Sequence, residues 1–240
     1  MNGSPWGDIG RDSKAFEWKG CGASISFDSN GKILRACDRY GCSEIIVDPP
    51  VRVIPAPPIL RPFSITSVVF IGFTRRAFVQ KHQTIWAKIP LDIEIAKDRQ
   101  TLAVLATSKV KYRLVGSLVE GVIARNVMSD ISFTTPPTPG PCEALVALKI
   151  ARGSDVIDGV PFNVGSSVLY SDRGERLYTS LVEVSLDHVI IDAKTTAYPP
   201  LPGLKQVRRP PYGRNVRLLS IGQPAVTVER GWRLWPTLKG

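Results

Sequence analysis

In the nine residues KIPLDIEIA, Ile89, Leu91, Ile93 and Ile95 alternate with Pro90, Asp92, Glu94 and Ala96. This is the period-two pattern of a strand with one buried face, and Pro90 places it at a sheet edge or a strand start. In KVKYRLV, Val110, Tyr112 and Leu114 alternate with Lys109, Lys111 and Arg113, which predicts a strand over 109–113 carrying three cations on its outer face. The run SVLYSDRGERLYTSLVEVSLDHVIID has apolar stretches on both sides of Asp172-Arg173-Gly174-Glu175, with Gly174 free to adopt a positive φ. A hairpin is expected there, and Val182, Val184 and Leu186 continue the alternation. Helical patterning is thinner. Residues 97–107 (KDRQTLAVLAT) and 114–128 (LVGSLVEGVIARNVM) predict one or two short helices, the second interrupted by Gly116 and Gly121.

Prolines punctuate this pattern in three clusters, at 49–62, 136–141 and 199–211. A residue without an amide proton and with φ fixed does not suit a central strand or a helix interior, so these stretches are expected to be extended connectors. They divide the chain into an N-terminal segment (1–48), a proline-rich connector (49–62), a β-rich body (63–198) and a C-terminal segment (199–240). The expected fold class is β-rich, mainly an antiparallel sandwich or α+β, with one or two short helices and a Pro/Arg-rich C-terminal segment.

Composition changes this picture little, at 43% hydrophobic and 22% charged, but charge changes it more. A formal net charge of +10 points to an anionic partner, either nucleic acid or an acidic membrane surface. From residue 203 onward, Lys205, Arg208, Arg209, Arg214, Arg217, Arg230, Arg233 and Lys239 face only one acid, Glu229. The charge is therefore concentrated in a basic appendage on a nearly neutral body. The longest apolar run, 68–73, falls far short of the roughly 18 residues of a membrane-spanning helix. The opening MNGSPWGDIGRDSK lacks the pattern of a secretory signal, so the expected address is cytoplasmic or peripheral to a membrane in a host cell.

Catalytic constellations are not visible in the sequence. Only His82 and His188 could serve as an imidazole base; the first lies among cations, which disfavour its protonation, and the second reads as a strand position. GCGAS at 20–24 has two glycines without a preceding strand, and the carboxylate pairs Asp155/Asp158 and Asp187/Asp192 read as solvated loop and strand acids. Cys21, Cys37, Cys42 and Cys142 form no CxxC. Cys37 and Cys42 bracket DRYG, a gap that a zinc loop tolerates, but reduced thiols are the expectation, with a zinc site or a disulfide as alternatives. No catalytic residue, metal or cofactor is expected.

The remaining candidates form a binding set. Arg75, Arg76 and Lys81 are expected to join Lys109, Lys111 and Arg113 in one patch. Lys205, Arg208, Arg209, Arg214 and Arg217, with Tyr212, form a second group in an exposed connector at 199–217, followed by Trp232 and Trp235. Arginine forks pair with phosphate, and interleaved aromatics suit either unstacked bases or a headgroup layer. Pro199-Pro200-Leu201-Pro202 has the PPLP form read by some WW domains, and RPPY follows at 209–212.

With these proline strings and the basic aromatic tail, the chain resembles the matrix proteins of negative-strand RNA viruses. The resemblance implies a non-enzymatic, self-associating structural protein that engages an anionic membrane and nucleoprotein, in the cell or in the virion. The alternatives are a viral movement or coat protein binding single-stranded RNA, or a cellular RNA-binding module.

Overall fold

The structure is a computed structural model describing residues 6–9, 16–28, 30–58, 68–98, 100–116, 121–172, 176–187, 190–208 and 227–229. Its strands form four sheets, paired into two sandwiches. In the first sandwich, one sheet is a meander of β2 (Glu17–Gly20), β3 (Ala23–Phe27), β4 (Ile33–Asp38) and β5 (Gly41–Ile46). It packs on a second sheet ordered β1 (Gly7–Ile9), β6 (Val51–Ala56), β9 (Asp92–Lys97) and β10 (Gln100–Leu105). Trp18, Ile25, Phe27, Leu34, Val51, Val53, Ile93 and Ile95 fill the space between the two.

The second sandwich opposes two larger sheets. One is ordered β14 (Ser154–Asn163), β7 (Val68–Gln80), β12 (Val122–Ser129), β11 (Lys111–Val115) and β20 (Thr227–Glu229). The other centres on β13 (Glu143–Arg152). An antiparallel β8 (Thr84–Pro90) lies on one side of it, and parallel β16 (Leu177–Thr179) and β17 (Val182–Asp187) lie on the other. β18 (Ile190–Thr195) extends this sheet from β17, while β15 (Leu169–Ser171) and β19 (Lys205–Arg208) extend it from β16. Val69, Ile71, Ile85, Ala87, Val146, Leu148, Val160, Phe162 and Val184 lie in the core between these sheets. The two sheets meet at a corner made by the β7–β8 turn and by Gly153, whose φ of 81° and 2.2 Å Cβ approach to the Leu186 carbonyl leave no room for a side chain.

The β-rich expectation holds, and the 169–179 hairpin forms with Asp172 accepting from the Arg176 backbone N–H. Both predicted helices are strands instead. Residues 100–105 pair with β9, and 111–115 and 122–129 pair with each other as β11 and β12, because sheet pairing outweighs weak local helix propensity. Among the described residues the helical structure is one 3₁₀ turn, Val164–Ser166. The KIPLDIEIA alternation is correct for Ile89, Leu91, Ile93 and Ile95, yet Asp92, Glu94 and Ala96 are buried as well. The chain passes between the two sandwiches at Leu91, and Arg125 Nη1 donates to Asp92 Oδ2 at 2.7 Å. The 49–62 connector is also corrected in part. Residues 51–56 form β6, inside a sheet, with Pro55 beyond the point where neighbouring β1 ends opposite Val53.

The cysteines are not reduced thiols. Cys21 in the β2–β3 turn is joined to Cys142 at the start of β13, and Cys37 is joined to Cys42, its direct partner across β4–β5. The fold brings the first pair together across 121 residues, a proximity that spacing in the sequence does not express.

Candidate anionic-surface interface

Two stretches of β7 behave differently. In Val68–Phe73 every residue is buried, between the core on one face and a small cluster of Val68, Phe70, Val115 and Ala124 on the other. The ladder to β14 then shifts, with Gly72 opposite Gly159 but Ala77 opposite Ile157. Four β7 residues, 73–76, therefore bulge against Asp158 alone. Thr74 pins the bulge by donating to Asp130 Oδ1 at 2.7 Å, and Thr74, Arg75 and Arg76 are exposed. Past it Ala77 and Val79 return to the core, which turns Phe78 outward opposite Val156. Phe78 is 61% exposed, Val156 55% and Met128 59%. Met128 lies over Gly72, its sulfur where a Gly72 Cβ would be, and the Phe70 ring covers Gly159 in the same way. The hairpin turn beyond adds exposed Lys81 and His82, the latter at a φ of 71°, and exposed Arg152 precedes Ser154, the partner of Gln80.

The outer face of this ribbon thus exposes the apolar pair Phe78 and Val156 and, across the bulge, Met128, with Arg75, Arg76 and Lys81 exposed along the same strand and turn. None of these three cations meets a carboxylate among the described residues. Sequence reasoning identified the cations but missed the apolar pair, although the alternation Ala77-Phe78-Val79-Gln80 after the two arginines carries its parity.

The rest of the predicted cationic patch lies on β11 and just before it. Lys111 and exposed Lys109 face solvent, but Lys109 precedes the strand instead of belonging to it. Arg113 shares the outer face with Lys111, but its guanidinium stacks 3.9 Å from the Phe70 ring centroid and lies 3.6 Å from Asp158. Lys111 is level with Asn126 and hence with Phe70, so Arg75 and Arg76 lie five and six residues further along β7. Lys111 thus stands apart from Arg75 and Arg76 by register, whereas Arg113 reaches Asp158, the residue opposite the bulge that carries them.

The C-terminal expectations also divide. Leu201 of the PPLP string and Leu204 pack on Trp86, Leu145, Ala147, Val168, Tyr170 and Tyr178. Tyr170 donates to the Ala197 carbonyl at 2.6 Å, and Leu181 N–H donates to the Tyr198 carbonyl at 3.0 Å. Burial raises the Tyr170 phenol above its ordinary pKa, opposed by a hydrogen bond with Ser180, and burial raises Tyr178 as well. Pro199, Pro200 and Leu201 are half-buried, and Pro202 is exposed. The segment 199–204 is therefore a strap over a sheet face, not an exposed connector. Lys205 is exposed at the start of β19, which pairs with β15 despite the neighbouring prolines, and the Arg208 backbone closes that strand. Arg209, Tyr212, Arg214, Arg217 and His188 lie outside the described residues.

Asp155 and Asp158 do not converge: Asp155 accepts from its neighbour Val156 N–H, whereas Asp158 faces Arg113. Among the described residues no group of three or more His, Cys, Asp or Glu side chains could hold a metal, and no helix is long and apolar enough to cross a membrane.

One family model matches the chain, over residues 5–222. The chain belongs to the DUF432 family. The DUF432 description reads "Protein of unknown function", and it neither adds to nor removes the resemblance to matrix proteins. The match spans the exposed ribbon and both sandwiches but for β20, and it stops short of Trp232 and Trp235. No curated protein and no solved structure matches the chain.

Proposed function

We propose that this DUF432 protein is a non-catalytic binding protein that docks on an anionic lipid surface through the outer face of the β7–β14 ribbon. The observation that supports this most is the exposed Phe78–Val156 cross-strand pair, with Met128 exposed over Gly72 on the other side of the bulge and Arg75, Arg76 and Lys81 exposed along the same strand and turn. Each side chain has a matching task. Burying a phenylalanine in an apolar layer contributes about 1.5–3 kcal/mol, and each cation close to an anionic bilayer about 1 kcal/mol. An aromatic alone would serve RNA equally by stacking, but Val156 and Met128 offer no ring, so lipid is favoured over single-stranded RNA. Both cystines favour an oxidising compartment over the cytoplasm, since disulfides persist where thiols are not kept reduced.

Co-sedimentation with vesicles of neutral phosphatidylcholine, and of phosphatidylcholine mixed with phosphatidylserine, tests this proposal. Binding is expected to the mixed vesicles, to fall about ten- to a hundredfold in Phe78→Ser, and to fall with added salt. The combined Arg75→Gln, Arg76→Gln and Lys81→Gln variant should lose the salt dependence. Equal binding to both vesicle types, or binding to single-stranded RNA with none to vesicles, overturns the lipid assignment.

A further inference from the structure

The junction between the two sandwiches gathers both cystines. Residues 106–110 run from β10 in one sandwich to β11 in the other, and they are held by the tip of the β4–β5 hairpin. Asp38 Oδ2 accepts from Ala106 N–H at 2.8 Å, and the Tyr40 hydroxyl accepts from Val110 N–H at 2.7 Å. Asp38 Oδ1 also takes Tyr40 N–H at 2.8 Å, so the tip presents both acceptors as one unit. Thr107 Oγ1 donates to the Leu91 carbonyl at 2.6 Å, and Leu91 N–H donates to the Cys142 carbonyl at 2.8 Å. The linker thus bonds the hairpin tip and the chain crossing at Leu91, and Leu91 in turn bonds the buried cysteine of the long-range cystine. Ser108 adds the step to Arg125, 3.1 Å from its Nη2.

The two cystines differ in reach. Cys42 is exposed and Cys37 half-buried, directly opposite each other at the base of the tip, whereas Cys142 is buried. Cys37 and Cys42 are five residues apart in a hairpin that strand pairing already closes, so their bond adds little to the loop-closure term that makes long-range disulfides stabilising. An accessible bond of small structural weight, at the base of the two side chains that hold the linker, is suited to being opened.

We propose that the Cys37–Cys42 cystine is a redox clasp on this junction. A dithiol reductant opens it while Cys21–Cys142 stays closed, and the tip then releases Ala106 and Val110. A thiolate of the dithiol attacks the exposed Cys42 sulfur, and Cys37 leaves as a thiolate that takes up a proton. The reagent's second thiol resolves the mixed disulfide, freeing Cys42 as a thiol and leaving the reagent as a disulfide. Two electrons and two protons pass to the protein.

Graded dithiothreitol with alkylation and mass spectrometry, read in parallel with amide hydrogen exchange, tests the clasp on the native chain. Cys37 and Cys42 are expected to label at reductant levels that leave Cys21 and Cys142 paired. At that point exchange at Ala106 and Val110 rises about tenfold or more, with the core strand around Val146 unchanged. Tyr40→Phe, which leaves the cystine in place, is expected to raise exchange at Val110 without reductant. Cys37→Ala with Cys42→Ala is expected to show the raised exchange and no response to dithiothreitol. Reduction of both cystines together, prior reduction of Cys21–Cys142, or unchanged exchange at 106 and 110 after Cys37 and Cys42 have been alkylated overturns the clasp.

Discussion

Arg125 and Asp92 carry opposite charges into the buried junction between the sandwiches. Each side chain is almost wholly buried, 2.7 Å apart, with Ser108 on the second guanidinium nitrogen. Deleting one partner strands the other charge, a loss that commonly reaches about 3–5 kcal/mol, whereas apolar replacement of both can be close to neutral. Chemical denaturation should therefore show Arg125→Met strongly destabilised and Arg125→Met with Asp92→Leu largely recovered. Tyr170 carries a different dependence. Because burial raises its folded pKa above the ordinary phenol value, its contribution is fully present below about pH 10 and is lost as the pH rises through the folded value. Alkaline titration of stability should thus be shallower in Tyr170→Phe, with Tyr178 supplying the part that remains. None of this pairing was legible in sequence. Asp92 reads there as the polar face of a strand, and its partner lies 33 residues away.

Strands with one wet face announced themselves, and those wrapped on both faces did not. Tyr112 turned in with Lys111 and Arg113 turned out is what alternation alone predicts, and the hairpin around Asp172 needed only its turn residues. By contrast the LAVLA run of β10 has the composition of a helix, and only the neighbouring β9, absent from any local window, makes it a strand. The bulge at 73–76 was invisible for a related reason: it depends on β14 supplying one residue where β7 supplies four. The strap at 199–204 follows the same logic, since its prolines exclude helix but do not say that Leu201 has a cluster to cover. Leu201→Ser should expose Trp86 and Tyr178, measured as increased tryptophan quenching by acrylamide, with a loss of about 2–3 kcal/mol in stability.

At the scale of the whole molecule, the first sandwich is discontinuous: β1 to β6 come from residues before 57, and β9 and β10 return to it from 92–105, after the chain has built β7 and β8 of the second. Proline clusters suggested four successive parts, but strand pairing divides the chain by a different rule. The family match covering both sandwiches as one stretch agrees with a unit that does not come apart at a single linker. The long cystine has a consequence in time as well as in space. A ribosome adding roughly 5–20 residues per second makes Cys21, Cys37 and Cys42 in close succession and then works for about 5–20 s before Cys142 follows, 121 residues after Cys21. For that interval three thiols compete for two places, and any bond Cys21 makes is a wrong one. Nascent chains arrested before residue 142 and trapped by alkylation should contain Cys21 joined to Cys37 or Cys42 alongside the native hairpin bond. Chains released in the presence of a disulfide isomerase should resolve to the two native cystines, faster than chains released without it. Biosynthesis of this protein would then depend on a catalyst that reopens early mistakes, a demand set by the order in which four residues leave the ribosome.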